Sequence, residues 1–296
     1  MDRIYDIIVV GGGPAGYSAA LYGARAGLSV LVLEKLSAGG QMALTDSIDN
    51  YPGFDEGIDG FSLGERMQLG AERFGAVTEL AEVYDMDLKA APKVLNTSEG
   101  LFLGRSVVIA TGAGPRELGI PGEQNRAHYC AACDGMRYRG KTVAVIGGGN
   151  SAVGDALQLA RIAKKVILIH RRDSLRAEKI HQDSLKNAEN VEFRWNSAPV
   201  ELVEDGILLR DTVKGEQSHL ACDGVFVSIG RKPATEPVKG QLELDEAGYI
   251  IADESTRTSV PGVFAAGDVR TKPLRQVVTA VADGAMAVHF AQEYLS

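Results

Sequence analysis

Cysteine is scarce in this chain: three among 296 residues, at positions 130, 133 and 222. Three thiols cannot staple a secreted scaffold, so a reducing compartment, the cytoplasm, is expected. Long apolar runs are missing, and no stretch reaches the roughly 18 residues of a membrane span. The start, Met1-Asp2-Arg3-Ile4-Tyr5-Asp6, runs directly into a strand-like segment and lacks the layout of a secretory signal. Positive charge is in deficit, with 31 Lys and Arg against 39 Asp and Glu and a formal net charge of −8. That balance argues against nucleic acid or an anionic membrane as the main ligand. Polar tracts are also absent while apolar residues make up 45%, which excludes a disordered chain. The residue in excess is glycine. There are 35, whereas the usual share of about 7% gives about 21. No Gly-x-y period accompanies the surplus, so it is not collagenous.

The length suggests about two domains, and an internal repeat agrees. Residues 4–10 (IYDIIVV) form a short β-branched apolar run, which suits a buried parallel strand. Gly11-Gly12-Gly13-Pro14-Ala15-Gly16 follows, then a small-residue helix pattern over 14–26, then a second strand over 29–33 that ends in Glu34-Lys35. The layout returns in mid-chain. Residues 141–146 (KTVAVI) read as a strand, Gly147-Gly148-Gly149-Asn150-Ser151-Ala152 as the turn, 152–163 as a helix, and 165–170 (KVILIH) as a strand ending in Arg171-Arg172. This predicts an α/β fold with two Rossmann-like, three-layer dinucleotide-binding domains. Segments 75–87, 93–97 and 101–109 read as a β-meander in the first half, and 200–213 and 219–229 in the second. A last apolar helix is expected over 275–294.

A glycine-rich βα turn points backbone N–H groups and the positive end of a helix at an anion. The first glycine makes the turn, the second admits a pyrophosphate, and the third small residue lets helix and strand pack. Gly11, Gly13 and Gly16 fit that spacing, and Gly147, Gly149 and Ala152 fit its G-x-G-x-x-A variant. A tight turn without a ligand is the plainer alternative for one isolated match. Strand before, helix after and second strand at the right distance, found twice, favour dinucleotides. Glu34, 23 residues after Gly11, would accept ribose hydroxyls and repel a 2′-phosphate, which fits FAD or NAD. Arg171, 24 residues after Gly147, stands with Arg172 and Arg176. Guanidinium forks suit phosphate oxygens, so the second site reads as NADP(H) rather than a solvated basic loop.

Cys130-Ala131-Ala132-Cys133-Asp134 lies just before the second turn. Half a zinc site or two buried small side chains are the plainer alternatives. Cys222 and the five scattered histidines offer no zinc-ligand spacing, so no metal is expected. A C-x-x-C pair allows a reversible disulfide, and beside two nucleotide sites it reads as redox-active. Asp134 is placed either to shuttle protons or simply to cap the turn. Cys222 reads as structural.

Taken together, these residues resemble the low-molecular-weight, bacterial-type thioredoxin reductases from end to end. The first turn with Glu34 is similar to that family's FAD site. Gly39-Gly40-Gln41 and Asn50-Tyr51-Pro52-Gly53 resemble its flavin-contacting loops, and Ala110-Thr111-Gly112 the turn before its domain crossover. Cys130 to Asp134 resembles its redox centre, with Ala132 for the usual threonine. His170-Arg171-Arg172-x-x-x-Arg176 resembles its NADPH phosphate clamp. Gly267-Asp268-Val269 with Arg275-Gln276 and Thr279-Ala280 resembles its C-terminal FAD motif.

The resemblance implies FAD and NADPH as cofactors, thioredoxin or a thioredoxin-like protein as partner, and a homodimer. It implies a discontinuous FAD domain over 1–113 and 245–296, with the NADPH domain and its cysteine pair inserted over 114–244. Cys133 then faces the flavin, Cys130 attacks the partner, Asp134 serves as acid/base, and the domains rotate between steps. Two departures bear on the partner. Met136-Arg137 stands where the family carries an aromatic pair, and no second C-x-x-C or fused thioredoxin-like module is present. Rival readings on the same fold are a dithiol oxidase and a ferredoxin-dependent disulfide reductase; a flavin-binding protein without turnover is a third.

Overall fold

The computed structural model describes residues 3–45 and 47–296. The chain divides into two compact units, one made of Met1–Gly114 with Lys232–Ser296 and the other of Pro115–Arg231. The second border therefore lies at 231/232, not after residue 244. Packing explains the difference: Val238 and Leu242 are buried in one apolar cluster with Ile250, Ala252 and Val263, so the segment after 231 belongs to the first unit's core.

The first unit opens with β1 (Ile4–Val10), α1 (Pro14–Arg25) and β2 (Val30–Glu34). Proline at the helix start is tolerated because the first N–H groups have no intrahelical partner. After a 3₁₀ turn at Gly40–Leu44 come α2 (Gly60–Glu72), capped by the Asp59 carboxylate on the Ser62 N–H, and β3 (Val77–Leu80). Three strands follow as an antiparallel meander: β4 (Val83–Asp87), β5 (Lys93–Thr97) and β6 (Gly100–Ile109). β7 (Ala113–Pro115) leads out of the unit.

The second unit begins with α3 (Glu123–Arg126), β8 (Ala127–His128) and α4 (Ala131–Asp134). The repeated βαβ follows as β9 (Thr142–Ile146), α5 (Asn150–Ala160) and β10 (Lys165–Ile169), then α6 (Lys179–Lys186) and β11 (Val191–Arg194). β12 (Ser197–Val203), β13 (Gly206–Asp211) and β14 (Gln217–Ala221) make a separate antiparallel sheet, and β15 (Gly224–Val227) returns to the parallel one. β16 (Arg231–Pro233) pairs with β7 as a two-stranded ribbon. The chain ends in the first unit with β17 (Val263–Ala265) and α7 (Val277–Leu295).

Each unit is a three-layer sandwich. The first sheet runs β3-β2-β1-β6-β5-β4, with β17 also on β6. Ile7 and Val9 of β1 face the cluster shared with α1 and α7, while Ile8 and Val10 face the cluster on the opposite side. The second sheet runs β11-β10-β9-β15-β8, all parallel. Val143 and Val145 of β9 meet α5, whereas Ala144 and Ile146 meet Leu202, Ile207 and Leu209 of the antiparallel sheet. Burial on both faces is why these strands read as continuous apolar runs. In both sheets the strand order reverses beside the central strand, between β1 and β6 and between β9 and β15. Such switch points, at the carboxyl ends of the strands, are where open α/β sheets bind ligands. No helix of the described residues is long and apolar enough to cross a membrane.

Candidate active site and nucleotide-binding turns

In the first unit three loops meet because three parallel strands end side by side. Ala110 N–H donates to the Val10 carbonyl at 2.8 Å and Ala266 N–H to the Ile109 carbonyl at 2.9 Å. This aligns the turns after β1, β6 and β17. A methyl group added at Gly16 would lie 1.9 Å from the Gly11 oxygen, and one added at Gly11 (φ +107°) would lie 2.5 Å from the Ala110 oxygen. Gly13, at the helix N-cap, differs: the nearest protein atom to an added methyl is the Gly39 oxygen at 4.0 Å. Space lies over Gly13 and none behind Gly16, which fits a pyrophosphate laid against the turn. Gly39 N–H donates to the Gly12 oxygen at 2.8 Å, bringing Gly40 within 3.5 Å of Gly13 when its Cβ position is drawn.

Glu34 accepts the Gly12 N–H at 2.6 Å and the Leu36 N–H at 2.9 Å, so its carboxylate sits on the turn with acceptor capacity left. Lys35 sends its ammonium to Glu82 at 2.6 Å on the surface. Gln41 is exposed. Asn50 and Gln276, 226 residues apart, are brought together by a 3.0 Å amide hydrogen bond. Thr111 and Gly112 are tied to Ala234 through the Thr111 hydroxyl at 2.7 Å and the Gly112 carbonyl at 3.0 Å.

The Gly267–Asp268 turn after β17 is held by residues the sequence did not single out. Asp283 of α7 accepts the Gly267 N–H at 2.9 Å, two Arg270 hydrogen bonds at 2.9 and 2.8 Å, and the Lys272 ammonium at 2.8 Å. Burial alone would raise the Asp283 carboxyl, but the Arg270 and Lys272 hydrogen bonds and charges overcome it and hold the carboxyl below the usual range. Arg275 lies over the Tyr249 ring at 4.1 Å and donates to the Asp268 and Arg270 carbonyls.

In the second unit a methyl at Gly147 would lie 2.4 Å from the Ser228 oxygen, whereas one at Gly149 meets nothing within 4 Å. The asymmetry repeats that of the first turn. Gly148 is covered by the His170 ring, 2.2 Å from an added methyl. The segment carrying Arg176 folds back onto the turn, with the Arg176 N–H on the Gly148 oxygen at 2.7 Å and Asn150 bonded twice to Glu178. Arg171, Arg172 and Arg176 are exposed. Burial first, then the charges of these three arginines, push the His170 imidazole below its ordinary value, so it is neutral at pH 7. Its buried Nε2 has no hydrogen-bond partner among the described residues. Ser151 is exposed on the first turn of α5, and Ala152 is buried beneath it. Asp155, one turn further, receives the Ser228 hydroxyl at 2.5 Å and is raised by its burial.

Cys130 and Cys133 form a disulfide with Cα atoms 5.3 Å apart. Cys130 caps α4 and accepts the Cys133 N–H on its sulfur at 3.2 Å, while the Asp134 N–H bonds the Cys130 carbonyl at 3.0 Å. Gly135 seats the turn against Leu159 and Ile162. Asp134 meets His128 Nδ1 at 3.1 Å, and Arg137 Nη1 lies 3.9 Å from its other oxygen. Met136 and Arg137 both face solvent, Met136 with 57% of its surface exposed. Burial, helped by the charges of Asp223 and Asp205, pushes the Cys222 thiol up to about 12. It is therefore an inert thiol at neutral pH.

Comparison with known proteins agrees with this architecture. The pyridine nucleotide-disulphide oxidoreductase family matches residues 5–284. A thioredoxin reductase of Peptoclostridium acidaminophilum is 43% identical over 309 residues, covering 100% of this chain and 98% of the relative. That of Treponema pallidum (strain Nichols) is 45% identical over 305 residues, with 100% and 98% covered. The crystal structure of thioredoxin reductase from Streptococcus pyogenes MGAS5005 superposes with a TM-score of 0.93 at 41% identity, covering 100% of this chain and 99% of that one. The chain belongs to the pyridine nucleotide-disulphide oxidoreductase family and, within it, to the bacterial-type thioredoxin reductases.

Proposed function

We propose that this protein is an NADPH-dependent flavoenzyme that reduces the disulfide of thioredoxin or a thioredoxin-like protein through Cys130 and Cys133. The observation that carries the reading is the Cys130–Cys133 disulfide on the unit whose sheet also carries the second glycine turn. The first turn fits FAD: open over Gly13, closed behind Gly16, with Glu34 for ribose hydroxyls, and Gly40, Thr111 and the Gly267–Asp268 backbone beside it. Gln41 and Asn50 are assigned to the flavin from the family resemblance. The second fits NADPH, with Gly147, Gly149 and Ala152 under the pyrophosphate. There, the exposed guanidiniums of Arg171, Arg172 and Arg176 offer hydrogen bonds and charge for the 2′-phosphate, with His170 packed over Gly148 beside them. When bound, the flavin supplies the two-electron link between nicotinamide and disulfide.

The chain's own residues handle sulfur and protons. Cys133 and Cys130 together store two electrons as thiols. Cys130, as thiolate, attacks the partner disulfide; Cys133 then attacks Cys130 Sγ, closing the Cys130–Cys133 bond and releasing the partner as a dithiol. Two protons pass from the enzyme thiols to the partner's, and Asp134, next to Cys133 in sequence, carries them on the family resemblance. The homodimer and the cytoplasmic setting follow from the family resemblance. Gel filtration at twice 31.4 kDa would support the dimer.

The test is a thiol count made anaerobically before and after adding NADPH to the purified holoprotein. Two new reactive thiols are expected, and none in a C133S variant. If wild-type protein gains none, a binding protein without turnover is the better reading.

A further inference from the structure

His128 stands at the end of β8, paired in register with Phe226 of β15. Its ring packs against Phe226 and Tyr138, with centroids 5.2 Å from each. Nδ1 lies 3.1 Å from Asp134 Oδ2, and Nε2 lies 2.6 Å from the Tyr138 hydroxyl. We propose that His128 is a positioning residue for the redox centre, holding the Asp134 carboxylate beside the Cys130–Cys133 pair through a Tyr138–His128–Asp134 hydrogen-bond chain. This rests on the reading of those cysteines as the redox pair and of Asp134 as their proton carrier.

The direction of the chain follows from donor chemistry. A carboxylate only accepts, so Nδ1 carries the hydrogen. In the neutral ring Nε2 is then the acceptor, and the Tyr138 hydroxyl donates to it. Burial first, and then the negative charge of Asp134, raise the Tyr138 phenol above its ordinary value, which keeps it a donor across the neutral range. The ring is fixed by β-sheet register and two aromatic contacts, so the hydrogen bond to Asp134 is preorganised. Other charged or titratable groups nearby are Arg137 at 3.9 Å from Asp134, Lys141 at 5.6 Å over the Tyr138 ring, and Asp223 and Cys222 beyond Tyr138.

In the balanced step, a proton leaves a cysteine thiol for Asp134 as the thiolate forms, and Asp134 returns it to the partner thiolate released by disulfide cleavage. His128 gains and loses nothing over the cycle. It shares the carboxylate's charge, which otherwise opposes thiolate formation next door.

The test uses the full chain, reduced with dithiothreitol and desalted. Iodoacetamide labelling of the Cys130–Cys133 peptide is followed by mass spectrometry as a function of pH. H128F keeps an aromatic ring but no hydrogen bond, and is expected to raise the labelling midpoint by ~0.5 pH unit. H128N, whose amide still donates to Asp134, restores it. H128Q reaches toward Tyr138 instead, follows H128F, and replaces it should the phenylalanine variant not fold. In a D134N background H128F adds nothing. Thioredoxin-disulfide turnover follows the same order, with kcat down about 10-fold in H128F and within about 3-fold of wild type in H128N. An unmoved midpoint in the folded variants, or an equal H128F effect with and without Asp134, overturns the positioning role. A coupled midpoint in a protein that reduces no thioredoxin supports the positioning role and rejects the substrate instead.

Discussion

Arg270 grips Asp283 with two hydrogen bonds, Nε to Oδ2 at 2.9 Å and Nη2 to Oδ1 at 2.8 Å, and the same carboxylate holds the Gly267 N–H. Both side chains are about nine-tenths buried. The pair therefore anchors the Gly267–Asp268 turn to α7. Breaking a buried pair costs up to about 3–5 kcal/mol when the remaining charge is left unpaired; Lys272 still holds Asp283 at 2.8 Å, so the loss here is smaller. An R270L variant is expected to melt earlier and to purify with less flavin, as read by differential scanning calorimetry and the flavin-to-protein absorbance ratio.

The same carboxylate sets an acid limit. Asp283 is held below its unfolded value, so its contribution to stability is complete above the ordinary carboxyl pKa of about 4. It is lost as pH falls through the lower folded value. Removing one of its two cationic partners by R270L should make that limb of a urea-midpoint profile, taken between pH 3 and 6, shallower, with Lys272 keeping the rest.

The two glycine roles separate by substitution. G16A places a methyl 1.9 Å from backbone and is expected to give unstable, flavin-free protein. The methyl of G149A meets nothing within 4 Å among the described residues. It should fold normally and lose only nucleotide affinity, with the KM for NADPH raised about tenfold or more, a change of roughly 1.4 kcal/mol.

In the proposed function, charge beside the second turn selects the nucleotide. R171A/R172A is expected to raise the KM for NADPH by about 10–100-fold, as for the loss of one or two charge-assisted hydrogen bonds, and to leave the KM for NADH nearly unchanged. Equal losses for both coenzymes would mean the arginines hold the loop rather than the 2′-phosphate.

Much of this was legible in the chain. The two βαβ units, their glycine turns and the cysteine pair announce themselves through local spacing, because each is one supersecondary unit. The second border was not legible: residues 232–244 carry Val238 and Leu242, whose burial against Ile250 only the tertiary fold reveals. Asp283 escaped notice because its partners, Arg270 and Lys272, converge on it from a loop outside its helix. The Asp283-Gly284 step offered a signal, since a methyl at Gly284 would lie 2.2 Å from the Ala15 oxygen and marks α7 pressed against α1. His128 was missed for a related reason. Its link to Asp134 depends on β8 pairing with β15, a contact nearly a hundred residues apart in sequence.

In the proposed function, electrons from NADPH leave this protein as partner thiols through Cys130 and Cys133. The direct measurement follows NADPH oxidation at 340 nm with oxidised thioredoxin from the same host, counting thioredoxin thiols at the end. Two thiols are expected for each NADPH consumed, and no thioredoxin reduced by C133S. NADPH consumption without thioredoxin thiols, or thiol formation that survives in C133S, would contradict it.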